Sequence, residues 1–459
     1  MSNKWGIKPE QAEVLLEIEK INGKSIPLVE EIKFYKVGVK IKEDYVIELA
    51  LFECRLTSLP DNIGNPKSLQ ALYLPGSQLA SLPESIGNLQ SLQELNLKRN
   101  KLASLPESIG NLQLLQELNL KGNKFASLPD NIGNLQSLET LNLFYNQLTA
   151  LPDNIGNLKS LQALYLRGNQ LESLPDNIGN LKSLQALYLS DNHLASLPDN
   201  IGNLQLLQEL NLKRNELSSL PESIGNLQLL KTLILSYNQL TTLPESIGNL
   251  QSLQTLILRS NNLTHLTVSM WRLKDMDSFI LAENPWDDEW KEIIKRDIPA
   301  IREFCRQKAT INVFISHAVN DFKSYRIEEL AEYLGHQLEI NQVYFCEEDL
   351  SGNIDAWMEE TVSKSHLLLF MGTQRSLLSK DCNEELRLAR VSKIPRIPIK
   401  GLDVDWQELA EIGLNRERGF EFNEDHFENF CVDIYKYIQE FKRDRDLFRK
   451  EQNGRDKIS

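Results

Sequence analysis

The chain has 459 residues, of which 41% are hydrophobic and 25% charged, a composition typical of folded soluble proteins and unlike that of disordered ones. Its formal net charge is −14, with acids and bases interspersed, which argues against a phosphate-neutralising surface and therefore against a nucleic-acid partner. The length exceeds the ~150 to 250 residues that one core usually serves, so it predicts several domains or a repeat array.

The cysteines indicate a reducing environment. They are widely spaced, with no Cys-x-x-Cys pattern, at Cys54, Cys305, Cys346, Cys382 and Cys431, which suits neither a disulfide framework nor a zinc site. The N-terminal stretch has acids among its apolar residues, and the apolar run LLLFM is far below the ~20 residues that span a bilayer. We therefore expect a cytoplasmic protein with no signal peptide, no membrane contact and no bound metal.

Residues 1–45 predict an N-terminal cap. A helical pattern runs from about Pro9 to Ile21, and the strand-rich stretch IKFYKVGVKI follows it. The cap precedes a strongly periodic region at residues 46–286.

This periodic region is a solenoid. Leu-Pro recurs every 23 residues from Leu59 to Leu243, separated by the theme Leu-x-x-Leu-x-Leu-x-x-Asn. The strand pattern predicts that Leu164 and Leu166 point inward while Tyr165 points outward. The recurring asparagines suit a side-chain ladder that satisfies backbone groups in the bends. These motifs resemble leucine-rich repeat proteins, which implies a horseshoe with a concave strand face.

The concave face, which we define as the outward side chains of these strands, is the predicted ligand-binding surface. Aromatic and basic side chains there are good contact formers: Tyr73, Lys98, Phe144, Tyr145, Tyr165, Arg167, Tyr188, Lys213, Tyr237 and Arg259. The alternative is that they are ordinary exposed strand residues. Residues 287–309 predict a C-terminal cap and a linker helix.

Residues 310–441 have a different pattern, in which apolar strands alternate with helices. The order predicts a doubly wound α/β domain with a five-stranded parallel sheet, whose ligands bind at the carboxyl ends of the strands. A charged tail follows at residues 442–459.

Three segments of this domain resemble the Toll/interleukin-1 receptor (TIR) domain. They are VFISHAVNDF in the first strand, EEDLSGNI after the second strand, and SLLSKDCNEELRLA at a helix start. The resemblance implies a flavodoxin-like fold, self-association through these domains, and cleavage of NAD, with NAD as substrate and no further cofactor.

The third segment contains two adjacent glutamates. The spacing of Asp381 and Glu384 predicts a capping box, in which the Glu384 side chain would accept a hydrogen bond from the backbone N–H at the helix start. The resemblance makes Glu385 the catalytic residue, because a carboxylate stabilises the oxocarbenium-like centre left when nicotinamide departs. The alternative for Glu385 is a solvated acid in the first turn of the helix.

We expect the substrate to contact residues at the carboxyl ends of the strands and residues in the three TIR-like segments. The predicted residues are Ser316, His317, Asp349, Ser351, Gly352, Ile354, Trp357 and Cys382. Trp357 and Phe345 are the nearest aromatics for stacking on the substrate, although Trp357 suits the core of its helix equally well.

These patterns predict an intracellular sensor-effector for defence signalling. The repeats would bind an unidentified protein or other ligand, and associated TIR domains would convert NAD to ADP-ribose or its cyclic form. Two alternatives remain open at this point: a non-catalytic adaptor acting by TIR association, and a repeat scaffold with a vestigial C-terminal domain.

Overall fold

The computed structural model describes residues 3–33, 35–346, 354–414 and 419–455. The chain divides into two compact units, Met1–Cys305 and Arg306–Ser459, and the boundary falls within the predicted cap and linker segment. None of the described helices is long and apolar enough to cross a membrane.

The first unit begins with a helix and a hairpin that close the solenoid. Helix α1 spans Pro9–Asn22 and ends at Gly23, whose left-handed conformation (φ 67) suits the absence of a side chain. Strand β1 (Gly38–Lys42) pairs antiparallel with β2 (Tyr45–Ala50). Because Trp5 and Val39 are buried in the same core as the leucines of the repeats, this segment shields the open end of the array.

The repeats supply one short strand each, and β2 to β12 run parallel in chain order. Strands β3 to β12 are Ala71–Tyr73, Glu94–Asn96, Glu117–Asn119, Thr140–Asn142, Ala163–Tyr165, Ala186–Tyr188, Glu209–Asn211, Thr232–Ile234, Thr255–Ile257 and Ser278–Ile280. Leu164 and Leu166 are fully buried, as the strand pattern predicts. At the far end, helix α2 (Asp288–Ile293) and the start of α3 (Ile298–Ala309) cover the core with Trp290 and Ile301.

Each repeat returns through a short 3-10 turn, such as Asp153–Asn157, and is tied to its neighbours by an asparagine ladder. The Asn169 amide donates to the carbonyls of Leu166 (2.9 Å) and of Leu143 in the preceding repeat (3.0 Å). Its oxygen accepts from the Leu148 N–H at 3.0 Å. The predicted ladder is therefore present, and it satisfies backbone groups that no strand partner reaches.

The second unit is an α/β domain built on five parallel strands. Its strands β13 to β17 are Ile311–Ser316, Ile340–Phe345, Leu367–Gly372, Arg396–Lys400 and Phe420–Glu421. Its helices α4 to α9 are Ile327–Gly335, Ile354–Lys364, Gln374–Leu378, Lys380–Val391, Trp406–Glu411 and Phe427–Arg455. Helix α9 thus continues beyond residue 441, into the segment that the sequence assigned to a charged tail.

The strand order is β14-β13-β15-β16-β17, which is compatible with a flavodoxin-like domain. Alternate residues of β13 enter opposite cores: Val313 and Ile315 pack with helices α4 and α9, whereas Phe314 packs with α5 and α7. Burial on both faces leaves the carboxyl ends of the strands as the natural place for a ligand.

Candidate functional site

Glu385 lies beneath the carboxyl end of the first strand of the α/β unit. It sits in the second turn of α7, and its side chain is only 2% exposed. One carboxylate oxygen accepts a hydrogen bond of 2.5 Å from the hydroxyl of Ser316, the last residue of β13. Two of the predicted site residues therefore meet, and the alternative of a solvated acid is excluded by the burial.

Burial dominates the electrostatics of this carboxyl group. Removal from water raises the pKa of Glu385 to about 8, with a smaller contribution from Asp381, while the Ser316 hydrogen bond opposes the shift. Near neutral pH the group is therefore mainly in its neutral acid form. Such a buried acid at a strand end is a candidate for proton or charge chemistry.

Cys382 and His317, two further predicted site residues, are both buried as neutral groups. Burial raises the pKa of the Cys382 thiol to about 12, so it is not a thiolate nucleophile. Burial likewise lowers the pKa of His317 to about 4. Both ring nitrogens of His317 are buried and have no hydrogen-bond partner among the residues that the structure describes, and its ring meets Phe322 edge-on at 5.6 Å.

The other predicted contacts are placed differently or cannot be placed. The half-buried Trp357 packs against Phe314 with ring centroids 6.1 Å apart, as its alternative role in the core requires. Asp349, Ser351 and Gly352 lie outside the described residues. Ile354 is the first residue of α5, but its side chain is not among those that the structure describes.

The predicted capping box is wrong. Helix α7 begins two residues earlier than that prediction requires, because the hydroxyl of Ser379 accepts from the Cys382 N–H at 3.3 Å and so caps the helix. Glu384 instead forms two hydrogen bonds with the Arg387 guanidinium, at 2.6 and 2.8 Å, on the exposed surface.

Sequence reasoning missed a second buried acid at the same sheet edge. Asp321, in the loop after β13, accepts a hydrogen bond from the hydroxyl of Thr373, which caps α6 after β15. The Arg375 guanidinium donates to the other Asp321 oxygen at 3.1 Å. The contact joins the loops after two neighbouring strands. The only sequence signal is the residue order Thr-Gln-Arg-Ser after the strand, which is typical of a helix start.

In the repeat unit, four of the predicted contact residues form an aromatic cluster on the concave face. Tyr165 and Tyr188 stack with centroids 5.1 Å apart, and Phe144 meets Tyr165 edge-on at 5.2 Å. Tyr145 lies 6.2 Å from Phe144, is 47% exposed, and has the Arg167 guanidinium over its ring at 5.6 Å. Adjacent exposed aromatics of this kind are favourable contact sites for a ligand.

Tyr73 is not available on this face, contrary to the sequence prediction. It is 6% exposed, packs with Ala50, Ala71 and Ile32, and donates a 2.6 Å hydrogen bond to Glu94. The reason is that the N-terminal segment folds over the first strands and covers this position.

Lys98, Lys213 and Arg259 lie on either side of the aromatic cluster, whereas Arg167 lies over the Tyr145 ring within it. Lys98 is half-buried toward the N-terminal end, and the Lys213 ammonium lies 5.5 Å from the Tyr237 ring centroid toward the other end. Arg259 is exposed and paired with Glu283. Arg167 forms a 2.8 Å ion pair with Asp191.

Comparison with protein families decides the classification of this array. The family model for the leucine-rich repeat region matches residues 48–122, 118–191 and 184–289. The chain belongs to the leucine-rich repeat family. Leucine-rich repeats suggest ligand or protein binding, and no curated protein matches the chain.

Solved structures similar to this leucine-rich repeat protein include bacterial and plant proteins. A leucine-rich repeat protein of Leptospira interrogans is 33% identical, with 56% of this chain and 81% of that chain covered and a TM-score of 0.41. An internalin of Listeria monocytogenes is 21% identical, with 60% and 95% covered and a TM-score of 0.35. The plant peptide hormone receptor RGFR1 in complex with RGF2 is 23% identical, with 75% and 58% covered and a TM-score of 0.42.

Proposed function

We propose that this protein is a cytoplasmic sensor-effector in defence signalling. Its leucine-rich repeats bind a ligand, and its C-terminal unit acts as a TIR domain that cleaves NAD between nicotinamide and ribose. The three TIR-like segments support the assignment, together with a strand order compatible with the flavodoxin-like fold. The observation that carries it is the buried pair of Glu385 and Ser316 at the strand ends.

The chemistry needs one acid in a protected position. As the bond from ribose to nicotinamide breaks, nicotinamide leaves with the bonding electrons and positive charge develops on the ribose. The Glu385 carboxylate stabilises that charge, which is worth most where water is excluded. Water or a nitrogen of the adenine ring then attacks, giving ADP-ribose or its cyclic form.

Substrate binding would also set the charge state of Glu385. In the free protein, burial favours the neutral acid. The nicotinamide ring of NAD is cationic, and a cation close to a carboxyl group favours its ionised form. Ser316 would hold the carboxylate in place through its hydroxyl. The ring nitrogens of His317, which have no hydrogen-bond partner in the described part of the chain, would hydrogen-bond the substrate.

The decisive experiment separates the two adjacent glutamates. In an assay of NAD consumption by the full chain, with chromatographic identification of products, Glu385→Gln should reduce cleavage roughly 100-fold or more, because it removes the charge and keeps the shape. Glu384→Gln is the matched control. It breaks only the exposed contact with Arg387 and should leave the rate unchanged.

Circular dichroism should show the same fold in both variants. Equal losses in the two variants, or no loss at Glu385, would contradict the catalytic assignment. Absence of any NAD turnover by the wild type at high concentration would favour the non-catalytic adaptor.

A further inference from the structure

The last strands of the array differ in surface chemistry from the earlier ones. At the second outward position of a strand, most repeats carry asparagine or tyrosine, whereas the final three carry Ile234, Ile257 and Ile280. These three residues pair in register across β10, β11 and β12. Neighbouring strands lie ~4.8 Å apart, so the isoleucines form a continuous apolar ladder on the concave face.

Folding does not require this ladder. The core is formed by leucines such as Leu233 and Leu256, which are fully buried on the opposite side of the strands. In an earlier repeat the same position is Asn211, whose oxygen accepts from the Lys213 N–H at 3.1 Å and so stabilises the strand end. Ile280 is 39% exposed. An apolar row facing water suggests an interaction surface.

An open groove of about 440 Å³ runs over the ladder. Besides the three isoleucines, its lining includes Arg167, Asp191, Lys213 and Tyr237. The lining extends from β7 to β12, a span of roughly 24 Å, which accommodates about seven residues of extended polypeptide. Small ligands usually need an enclosed pocket that buries most of their surface, so an open groove fits an extended chain better.

The charge around the groove is locally positive, although the chain as a whole carries −14. Arg167 and Arg214 both contact the single carboxylate of Asp191. In the part of the chain that the structure describes, Lys213 makes no ion pair, and its ammonium lies beside the Tyr237 ring. The groove therefore complements acidic groups next to apolar ones.

We propose that this groove binds an extended segment of a partner polypeptide that combines acidic and apolar side chains. The inference rests on the proposed ligand-binding role of the repeats and gives that ligand a place and a chemical class. A polypeptide is favoured over a nucleic acid because the isoleucine ladder offers apolar contact, and because a strongly acidic protein repels a polyanion.

The test measures binding of fluorescent seven-residue peptide pools to the full chain by anisotropy. One pool mixes Asp and Glu with Leu, Ile and Val, the second replaces the acids by Lys and Arg, and the third replaces the apolar residues by Ser and Gln. The acidic-apolar pool should bind about fivefold or more tightly than the others, and its binding should weaken with added salt.

Variants then locate the site. Ile257→Asn and Lys213→Ser introduce residues that other repeats already carry at these positions, so the fold should be retained. Each should weaken binding of the acidic-apolar pool by about fivefold or more, since both side chains are central to the groove. Lys121→Ser is the matched control, because it makes the same change at the equivalent repeat position outside the groove, and should leave binding unchanged.

Four results would overturn the proposal: no binding by any pool, equal binding by a second pool, equal effects of Lys121→Ser and Lys213→Ser, or displacement of the peptides by a single-stranded oligonucleotide. If binding depended on Phe144 and was insensitive to the groove variants, the array would still be a ligand-binding surface, but through its aromatic cluster. NAD is absent from this assay, so its outcome is independent of the proposed NAD cleavage.

Discussion

Glu384 and Glu385 are adjacent in sequence but have different environments, because one step along an α-helix turns the side chain by about 100 degrees. Glu384 faces solvent and contacts Arg387, whereas Glu385 turns toward the sheet and meets Ser316, 69 residues away in sequence. The helix periodicity predicted the change of direction. The identity of the partner came only from the folding of β13 against α7.

The raised pKa of Glu385 predicts a specific dependence of stability on pH. The folded protein keeps the Glu385 proton up to about pH 8, whereas the unfolded chain releases it near the usual value of 4.5. The contribution of this group to stability is therefore full below pH 4.5 and is lost as the pH rises to about 8, by an amount on the order of a few kcal/mol. Hydrogen-exchange protection of β13 and β15, corrected for intrinsic exchange rates, should show this decline.

Glu385→Gln should abolish the decline, because glutamine does not titrate. The lowered pKa of His317 acts in the opposite direction, since stability from its neutral form increases between about pH 4 and 6.5. That contribution is present in both proteins and cancels in the comparison. Identical pH profiles for wild type and variant would show that the carboxyl group is already ionised in the folded state.

Stacking of the repeats depends on one glycine in each Ile-Gly-Asn sequence. A Cβ atom added to Gly156 would lie 2.3 Å from the backbone oxygen of Asn177 in the next repeat. No side chain fits in that space, and backbone atoms cannot move aside cheaply. The recurrence of glycine is visible in the sequence, but its reason becomes visible only when two repeats are placed against each other.

Gly156→Ala should therefore destabilise the array by roughly 1 to 3 kcal/mol, as overpacking does elsewhere. Thermal unfolding followed by circular dichroism would measure the loss. Gly335→Ala is the control, because an added Cβ there meets nothing within 4 Å, and alanine stabilises helices slightly relative to glycine. A Gly156→Ala protein as stable as wild type would mean that the repeats stack less closely than described.

At the scale of the whole molecule, the two units have separate cores, and helix α3 contains the boundary between them. In the single chain, Glu385 and Ser316 are both buried, so under the proposed function a substrate would reach them only after a rearrangement. Self-association that favours the accessible arrangement would activate the protein by shifting its population.

The specific activity should accordingly rise with protein concentration. Rates of NAD cleavage per milligram, measured across a wide dilution series, would reveal the increase. Adding an excess of the inactive Glu385→Gln protein to dilute wild type should also raise the wild-type rate, because the variant keeps its surface for association. A rate strictly proportional to wild-type concentration, with no effect of added variant, would contradict activation by association.

Local and periodic features of this protein were determined by the sequence. Side-chain periodicity predicts the 23-residue repeat, the inward leucines, the asparagine ladder and the alternation of strands and helices. These features depend only on residues that are close along the chain or one repeat away. The choice of Glu385 as the candidate catalytic residue followed from the family resemblance.

Contacts between distant segments were decided only by the tertiary structure. Three such features are the covering of Tyr73 by the N-terminal segment, the contact of Asp321 with Thr373, and the burial that raises the pKa of Glu385. Each of them involves residues that no common sequence period relates. The true N-cap at Ser379 was missed because two candidate caps lie two residues apart. Residue spacing alone does not decide which of the two residues caps the helix. That depends on which side chains of the helix are buried against the sheet.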